Sequence, residues 1–290
     1  MSDNVRGALW MSLSMIGFVV NDTLMKAVAD QVPLFQAILL RGLCATVLIV
    51  LLAWQRGALS YRPRGTDRGQ IAWRTVGEVG ATCFFLTALF NMPIANAVAI
   101  IQAASLGVTL AAALVLGDPV GWRRYTAIAV GFLGVLLIVR PGTEGFNIYS
   151  LSALVAVGFI VMRDITTRRL SRAVPGLLVT VITSVSITLA GLLATLAIGW
   201  QPVDMETLVY LVAASGFLLV GYYAGVEAMR VGDVGAVSPF RYSNLLWALI
   251  LGFLVFGDLP DLMTWAGAGI IVATGLYTLH REQIRGGSAR

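Results

Sequence analysis

Charge, histidine and lysine are all scarce in this sequence. Only 12% of the 290 residues are charged, about half the share that a soluble domain needs to cover itself with water-compatible groups. The one histidine, His280, stands at the edge of the last apolar stretch. With no second histidine, no metal-ligand spacing exists and a metal centre is not expected. Lys26 is the only lysine, which leaves little for a serine–lysine dyad, and no glycine-rich phosphate loop ends in Lys-Ser or Lys-Thr. No cofactor is implied, and neither hydrolytic catalysis nor ATP-driven pumping is favoured. Cys44 and Cys83 both lie inside apolar stretches and read as small packing residues, not as a disulfide framework.

Apolar surface is abundant instead. Hydrophobic residues make up 58% of the chain and the mean hydropathy is +0.85. Apolar runs of about 20 residues, enough for a helix to cross ~30 Å of hydrocarbon, recur at near-regular spacing. The expectation is an all-α integral membrane protein with ten spans, near 7–29, 34–54, 71–92, 94–116, 122–139, 148–169, 175–199, 205–229, 235–256 and 262–280. Arg6 precedes a first run too long for a secretory signal, so that run is expected to be a retained span. Pro33, Pro93, Pro175 and Pro239 fall near span starts and the other five prolines in loops, so the helices are expected to be continuous.

The basic residues orient these spans. If the N-terminus is cytoplasmic, the inner segments hold fifteen of the twenty Lys and Arg, the outer loops hold only Arg140, and Lys26, Arg41, Arg163 and Arg241 remain within spans. Short basic loops facing anionic lipid explain the pI of 9.6 without nucleic acid as a partner. The expected location is the inner (plasma) membrane, multi-pass, with both termini cytoplasmic.

A repeat runs through the chain. At an offset of 140, Leu114-Val115-Leu116-Gly117-Asp118 falls on Leu254-Val255-Phe256-Gly257-Asp258, and Ala88 on Ala228. Five spans per half is an odd number, so the halves would enter the membrane from opposite sides: two inverted five-helix repeats, 1–142 and 143–290, an arrangement suited to alternating access. Asp22 and Lys26 in the first span match Asp164 and Arg168 in the sixth at the same i,i+4 spacing. Each pair is either a self-neutralised helix end or an ionic latch at one gate.

Met92-Pro93-Ile94-Ala95-Asn96-Ala97, Leu116-Gly117-Asp118-Pro119-Val120-Gly121-Trp122-Arg123-Arg124 and Gly131-Phe132-Leu133-Gly134-Val135 resemble the first half of EamA-type proteins of the drug/metabolite transporter superfamily. Gly235-Ala236-Val237-Ser238-Pro239-Phe240-Arg241-Tyr242-Ser243-Asn244 and Phe256-Gly257-Asp258-Leu259-Pro260-Asp261 are similar to the second. The chain departs from the pattern with Asp118 and Asp258 where the loop usually reads Gly-Glu, and with Ser105 and Leu245 where many members have proline. The resemblance implies a ten-helix transporter of small metabolites, nearest the branch that exports aromatic amino acids. An importer of a nucleoside-derived compound, or a solute channel, is the alternative, and a single chain is expected to suffice.

Polar groups at membrane depth mark the expected cavity, because each must face the bundle interior or water. Gln102 and Ser105 in the fourth span, with Tyr242, Asn244 and Trp247 in the ninth, are the first choice of lining; interhelical hydrogen bonding is the plainer role for any one of them. Tyr222 and Tyr223 in the eighth could bracket a planar ligand, and Arg41 could grip a carboxylate. Glu78 and Glu227 are candidate proton carriers or ion-pair members. Arg163 and Arg241 are expected to snorkel to the interface. Trp10, Trp54, Trp122 and Trp265 are expected as interfacial anchors, and Ala127 with Gly131 and Gly269 with Ala273 as close-packing pairs.

Overall fold

The computed structural model describes residues 3–63, 65–117, 121–141, 147–171, 173–231 and 234–287. Ten spans account for nearly all of it: α1 (Asp3–Ala27), α2 (Leu34–Gln55), α3 (Thr66–Asn91), α4 (Ile94–Leu116), α5 (Trp122–Val139), α6 (Tyr149–Arg168), α7 (Gly176–Ile198), α8 (Met205–Val231), α9 (Ser238–Phe256) and α10 (Leu262–Gly287). Eight are long and apolar enough to cross a membrane, and α10 contributes the shorter apolar stretch Leu262–Thr278. The exception, α3, has the length but carries Asp67, Arg68, Arg74 and Glu78. The last two are accommodated because they are ion-paired inside the bundle. No strand occurs among the described residues.

Successive crossings alternate in direction, which defines two ends. The near end holds the start of α1 and the connections α2–α3, α4–α5, α6–α7 and α8–α9; the far end holds the other connections. Helices pack in an exchange-related pattern: α1 lies along α8 as α6 lies along α3, while α2 pairs with α7 and α5 with α10. The closest approaches obey the same exchange. A methyl group on Gly17 would sit 2.9 Å from the Phe217 carbonyl oxygen, and one on Gly77 would sit 3.0 Å from that of Phe159. Residue 17 meets 159 in the register that aligns Asp22 with Asp164, and 77 meets 217 at the offset of 140. A side chain at either glycine would force these backbones apart.

The repeated Leu-Gly-Asp segments have a structural meaning. Gly117 and Gly257 end α4 and α9 in the left-handed region, with φ of 73° and 70°, where a Cβ would be strained. Asp118 itself lies outside the described residues.

Three sequence expectations are corrected. The spans α4 and α9 are not continuous: α4 breaks at Ala103 and ends in a π turn over Ala112–Leu116, while α9 opens with a 3₁₀ turn over Ser238–Tyr242 before its α-helix starts at Ser243. At the offset of 140 the junction at 103 falls on that at 243. Pro239 sets the second irregularity, since it lacks an N–H; at the first, Ser105 Oγ donates to the Gln102 carbonyl at 2.9 Å, a side chain competing for backbone. Of the two small-residue pairs, Ala127 and Gly131 are buried, and a Cβ on Gly131 would meet Thr274 of α10 at 2.8 Å, but the second pair is misplaced. Gly269 and Ala273 are exposed on α10, and the close α5–α10 crossing is made by Gly134 and Gly267, where a Cβ on either would come within 2.8 Å of the other's carbonyl oxygen. Arg163 does not snorkel, because Glu78 and Asp164 hold it inside. Trp54, Trp122 and Trp265 are exposed as interfacial anchors would be, whereas Trp10 packs edge-on against Tyr223.

Candidate functional site

The main apolar core fills only the far half of the bundle. Val19, Met25 and Val28 of α1 and its following turn, Ile38 of α2, Leu86 and Leu89 of α3, Ile94 and Ile100 of α4, and Leu211 of α8 are all nearly inaccessible there. Hydrogen bonds tie that end across helices. Gln36 Nε2 donates to the Gln201 carbonyl at 2.7 Å and Gln201 N returns a bond to Gln36 Oε1 at 3.0 Å. Lys26 Nζ donates to the carbonyls of Leu89 (3.1 Å) and Met92 (2.7 Å), Thr207 bonds Gln31, and Arg140 pairs with Asp261.

The near half encloses a cavity instead. It is lined by Arg41, Gly42, Ala45 and Ile49 of α2, Arg74 and Glu78 of α3, Thr180, Thr183, Ser184 and Ile187 of α7, and Leu218 and Tyr222 of α8. Its empty space, counted with its open mouth, is about 510 Å³. The α3 and α7 residues sit in the near halves of their helices and Arg41 and Gly42 just past the middle of α2, so the cavity reaches from the near end to about mid-depth and the apolar core closes it from the far one.

Charge in the wall is organised by Glu78. This buried carboxylate meets Arg163 Nη1 of α6 at 3.2 Å and Arg74 Nη2, one turn before it, at 3.6 Å. Arg163 Nε also donates to Asp164 at 2.8 Å, and Arg74 Nη1 to Thr183 Oγ1 at 2.7 Å. Each charge therefore has a partner, which makes the cluster tolerable away from water. Arg41 is different. It is 7% exposed; its Nη1 donates to Asn21 Oδ1 at 3.2 Å, and its Nε has no partner.

The expected site residues separate into groups. The structure brings Arg41, Tyr222 and Glu78 together around the cavity. Ser105 and Tyr242 meet each other, Oγ to Oη at 2.9 Å, joining α4 to α9 outside the cavity wall; Gln102 stands one turn away, its carbonyl taken by Ser105. Asn244 Oδ1 and Trp247 Nε1 are buried without hydrogen-bond partners on α9. Tyr223 points outward against Trp10, and Glu227 is paired with Arg230 at 3.4 Å. Neither expected i,i+4 latch has formed as drawn. Asp22 accepts from Asn21 Nδ2 at 2.9 Å while Lys26 reaches the end of α3, and Asp164 takes Arg163 while Arg168 is exposed at the end of α6. Adjacent carbonyls and a neighbouring guanidinium outcompete the weak intrahelical pair.

Sequence reasoning passed over Arg74, Thr180, Thr183 and Ser184. Counting Arg74 with the inner basic segment, although it falls inside the expected span 71–92, hides it; in the structure it lies in the third turn of α3, which starts at Thr66. Its i,i+4 spacing from Glu78 was the available signal, and 180, 183, 184 and 187 form one face of an otherwise apolar helix.

Outside the membrane-spanning segments, two aspartates cap helices. Asp204 Oδ1 accepts from Thr207 N at 2.8 Å, and these Thr207 bonds hold its carboxyl below the ordinary range. Asp261 Oδ1 accepts from Thr264 N at 2.9 Å; the Arg140 hydrogen bond first, then the Thr264 N–H, hold its carboxyl down at about 2.

A ten-span helical bundle around a polar, one-sided cavity defines a small-molecule transporter. Comparison with known proteins agrees. Residues 5–140 match the EamA-like transporter family. A riboflavin transporter of Vibrio cholerae is 26% identical over 96% of this chain and 94% of its own. An S-adenosylmethionine uptake transporter of Rickettsia prowazekii is 23% identical over 96% and 94%, and a pseudopaline exporter of Pseudomonas aeruginosa is 26% identical over 96% of each. One solved crystal structure superposes with a TM-score of 0.65 over 96% of this chain and 98% of that one, at 19% identity, a likeness of fold. The chain is thus similar to EamA-like transporters over its first half and, over nearly its whole length, to transporters of small molecules.

Proposed function

We propose that the chain is a secondary or facilitated transporter that carries a small polar metabolite by alternating access, one copy being sufficient. The observation that carries this reading is the contrast between a polar cavity in one half of the bundle and a sealed apolar core in the other. A continuous pore would need a polar path through both. The exchange-related packing of α1–α8 with α6–α3 supports a duplicated unit, 1–142 and 143–290, whose rocking would close the near end and open the far one.

The basic near-end connections support a cytoplasmic near end and an inner-membrane location. The structure is then the inward-open state, with both termini in the cytoplasm. The solutes named for the relatives favour a metabolite with a ring system and polar substituents, such as a nucleoside-derived or flavin-like compound. Uptake and export are both represented among them. Export of an aromatic amino acid is the second reading, favoured by Arg41 and Tyr222 on the same cavity wall.

Counterflow in liposomes tests the proposal. Purified protein should accumulate a labelled metabolite against the same unlabelled solute trapped inside, with saturable kinetics, and a panel of riboflavin, S-adenosylmethionine and aromatic amino acids with and without a pH gradient resolves substrate and coupling. Linear flux without trans-stimulation would refute alternating access.

A further inference from the structure

Among the described residues, the two other arginines of the cavity region, Arg74 and Arg163, meet Glu78 within ion-pairing distance. Arg41 has no carboxylate within that distance; the acid that faces it, Asp22, is reached through Asn21, which accepts from Arg41 and donates to Asp22, and Arg41 is more than nine-tenths buried and lines the cavity. Of its five N–H donors one bonds Asn21, and Nε bonds nothing. A guanidinium in this condition presents an incomplete donor fork, matched in shape and charge by a carboxylate.

The neighbouring α7 wall carries the complementary polarity, and the hydroxyl network fixes its sign. Thr188 Oγ1 donates to the Ser184 carbonyl at 2.8 Å, so it must accept from Thr46 Oγ1 at 3.0 Å. Thr46, its proton used, must accept from Ser184 Oγ at 2.7 Å. Ser184 therefore offers the cavity only lone pairs. Thr183 is in the same state: it donates to the Val179 carbonyl at 2.8 Å and accepts from Arg74. One wall of the cavity gives hydrogen bonds to an anion and its neighbour takes them from N–H groups.

We infer that the cavity is built for an amino-carboxylate, its carboxylate on Arg41 and its amino group on Ser184 and Thr183. This deepens the transport reading and rests on it. It favours metabolites that keep an amino-acid end over neutral ring compounds, and gives Arg41 the role of substrate anchor.

The test is binding to the full-length protein in nanodiscs, which needs no flux. Phenylalanine, methionine and S-adenosylmethionine are titrated beside phenylalaninamide and methioninamide, which lack the carboxylate, and hydrocinnamate, which lacks the amine. At least one acid should bind about tenfold or more tighter than its amide, the worth of a charge-assisted bond. That preference should vanish in Arg41→Gln while amide binding persists, and survive in part in Arg41→Lys, which keeps the charge without the fork. Ser184→Ala should weaken phenylalanine but not hydrocinnamate. Equal binding of acid and amide by the wild type, no binding of any acid, or a preference that persists in Arg41→Gln overturns the inference. If Arg41→Gln does not fold, the wild-type comparison and Arg41→Lys still decide. Saturable flux of a solute without a carboxylate, beside a failed acid preference, would overturn the anchor alone; absence of any saturable flux would overturn the transport reading.

Discussion

The two ends of this bundle are built from the same kind of helix and hold together in different ways. At the far end, Leu89, Ile94, Ile100 and Leu211 interlock with almost no accessible surface, and the Gln36–Gln201 exchange closes the seam. At the near end the same helices line a cavity with polar side chains, and the wall is held by the Arg74–Glu78–Arg163 cluster. Packing in the first case is cohesive but carries little chemistry. In the second, charge and hydroxyl groups leave room for a guest, and local order rests on ion pairs that fail if one member is lost.

The comparison is broken most severely at Glu78. Glu78→Gln leaves Arg74 and Arg163 without their shared counterion, and removing one partner of a buried pair costs about 3–5 kcal/mol; thermal unfolding in detergent should show a large drop together with loss of transport. Next comes the apolar end. Leu89→Ala should cost about 2–5 kcal/mol by leaving a cavity in a packed core, whereas Leu218→Ala, facing space that already exists, should cost about 1 kcal/mol or less and change substrate affinity instead. Equal losses at the two sites would remove the distinction between a packed end and an open one.

A smaller effect is expected at the seam. Gln36→Ala removes two hydrogen bonds that tie α2 to the α7–α8 connection across the closed far end, worth about 1–3 kcal/mol together, and should raise the labelling rate of a cysteine placed near Gln201 by a membrane-impermeant reagent. An unchanged rate would mean that the apolar core alone sets the closed state.

The smallest effect is the response to acid. Asp261 has its carboxyl at about 2 against an ordinary 3.8, so its contribution is present above the ordinary value and lost as pH falls from about 4 toward 2. The pair is largely exposed, with the Asp261 side chain 54% accessible, and solvent screening limits it to under about 1 kcal/mol. Asp261→Asn should flatten that part of the pH–stability profile with little change at neutral pH.

Much of the architecture was legible beforehand, since a helix that spans hydrocarbon must be apolar over a set length and punctuated by loops. The segments Ile94–Leu116 and Trp122–Val139 came out at their expected bounds. The repeated Leu-Gly-Asp positions marked real helix ends at Gly117 and Gly257. The candidate wall is less legible: Arg41, Tyr222 and Glu78, expected as polar groups at depth, do line the cavity, but its other polar lining comes from α3 and α7 and not from α4 and α9.

What the sequence determined by itself was the number, length and direction of the crossings and which side chains could not face lipid, because these follow from transfer free energies residue by residue. The tertiary structure decided how each helix is rotated and how closely it crosses its neighbours. Gly17 and Gly134 let backbones meet, and that contact, through partners tens or hundreds of residues away, set whether Arg163 faced lipid or Glu78, whether Lys26 found Asp22 or the end of α3, and which polar side chains came to line one cavity.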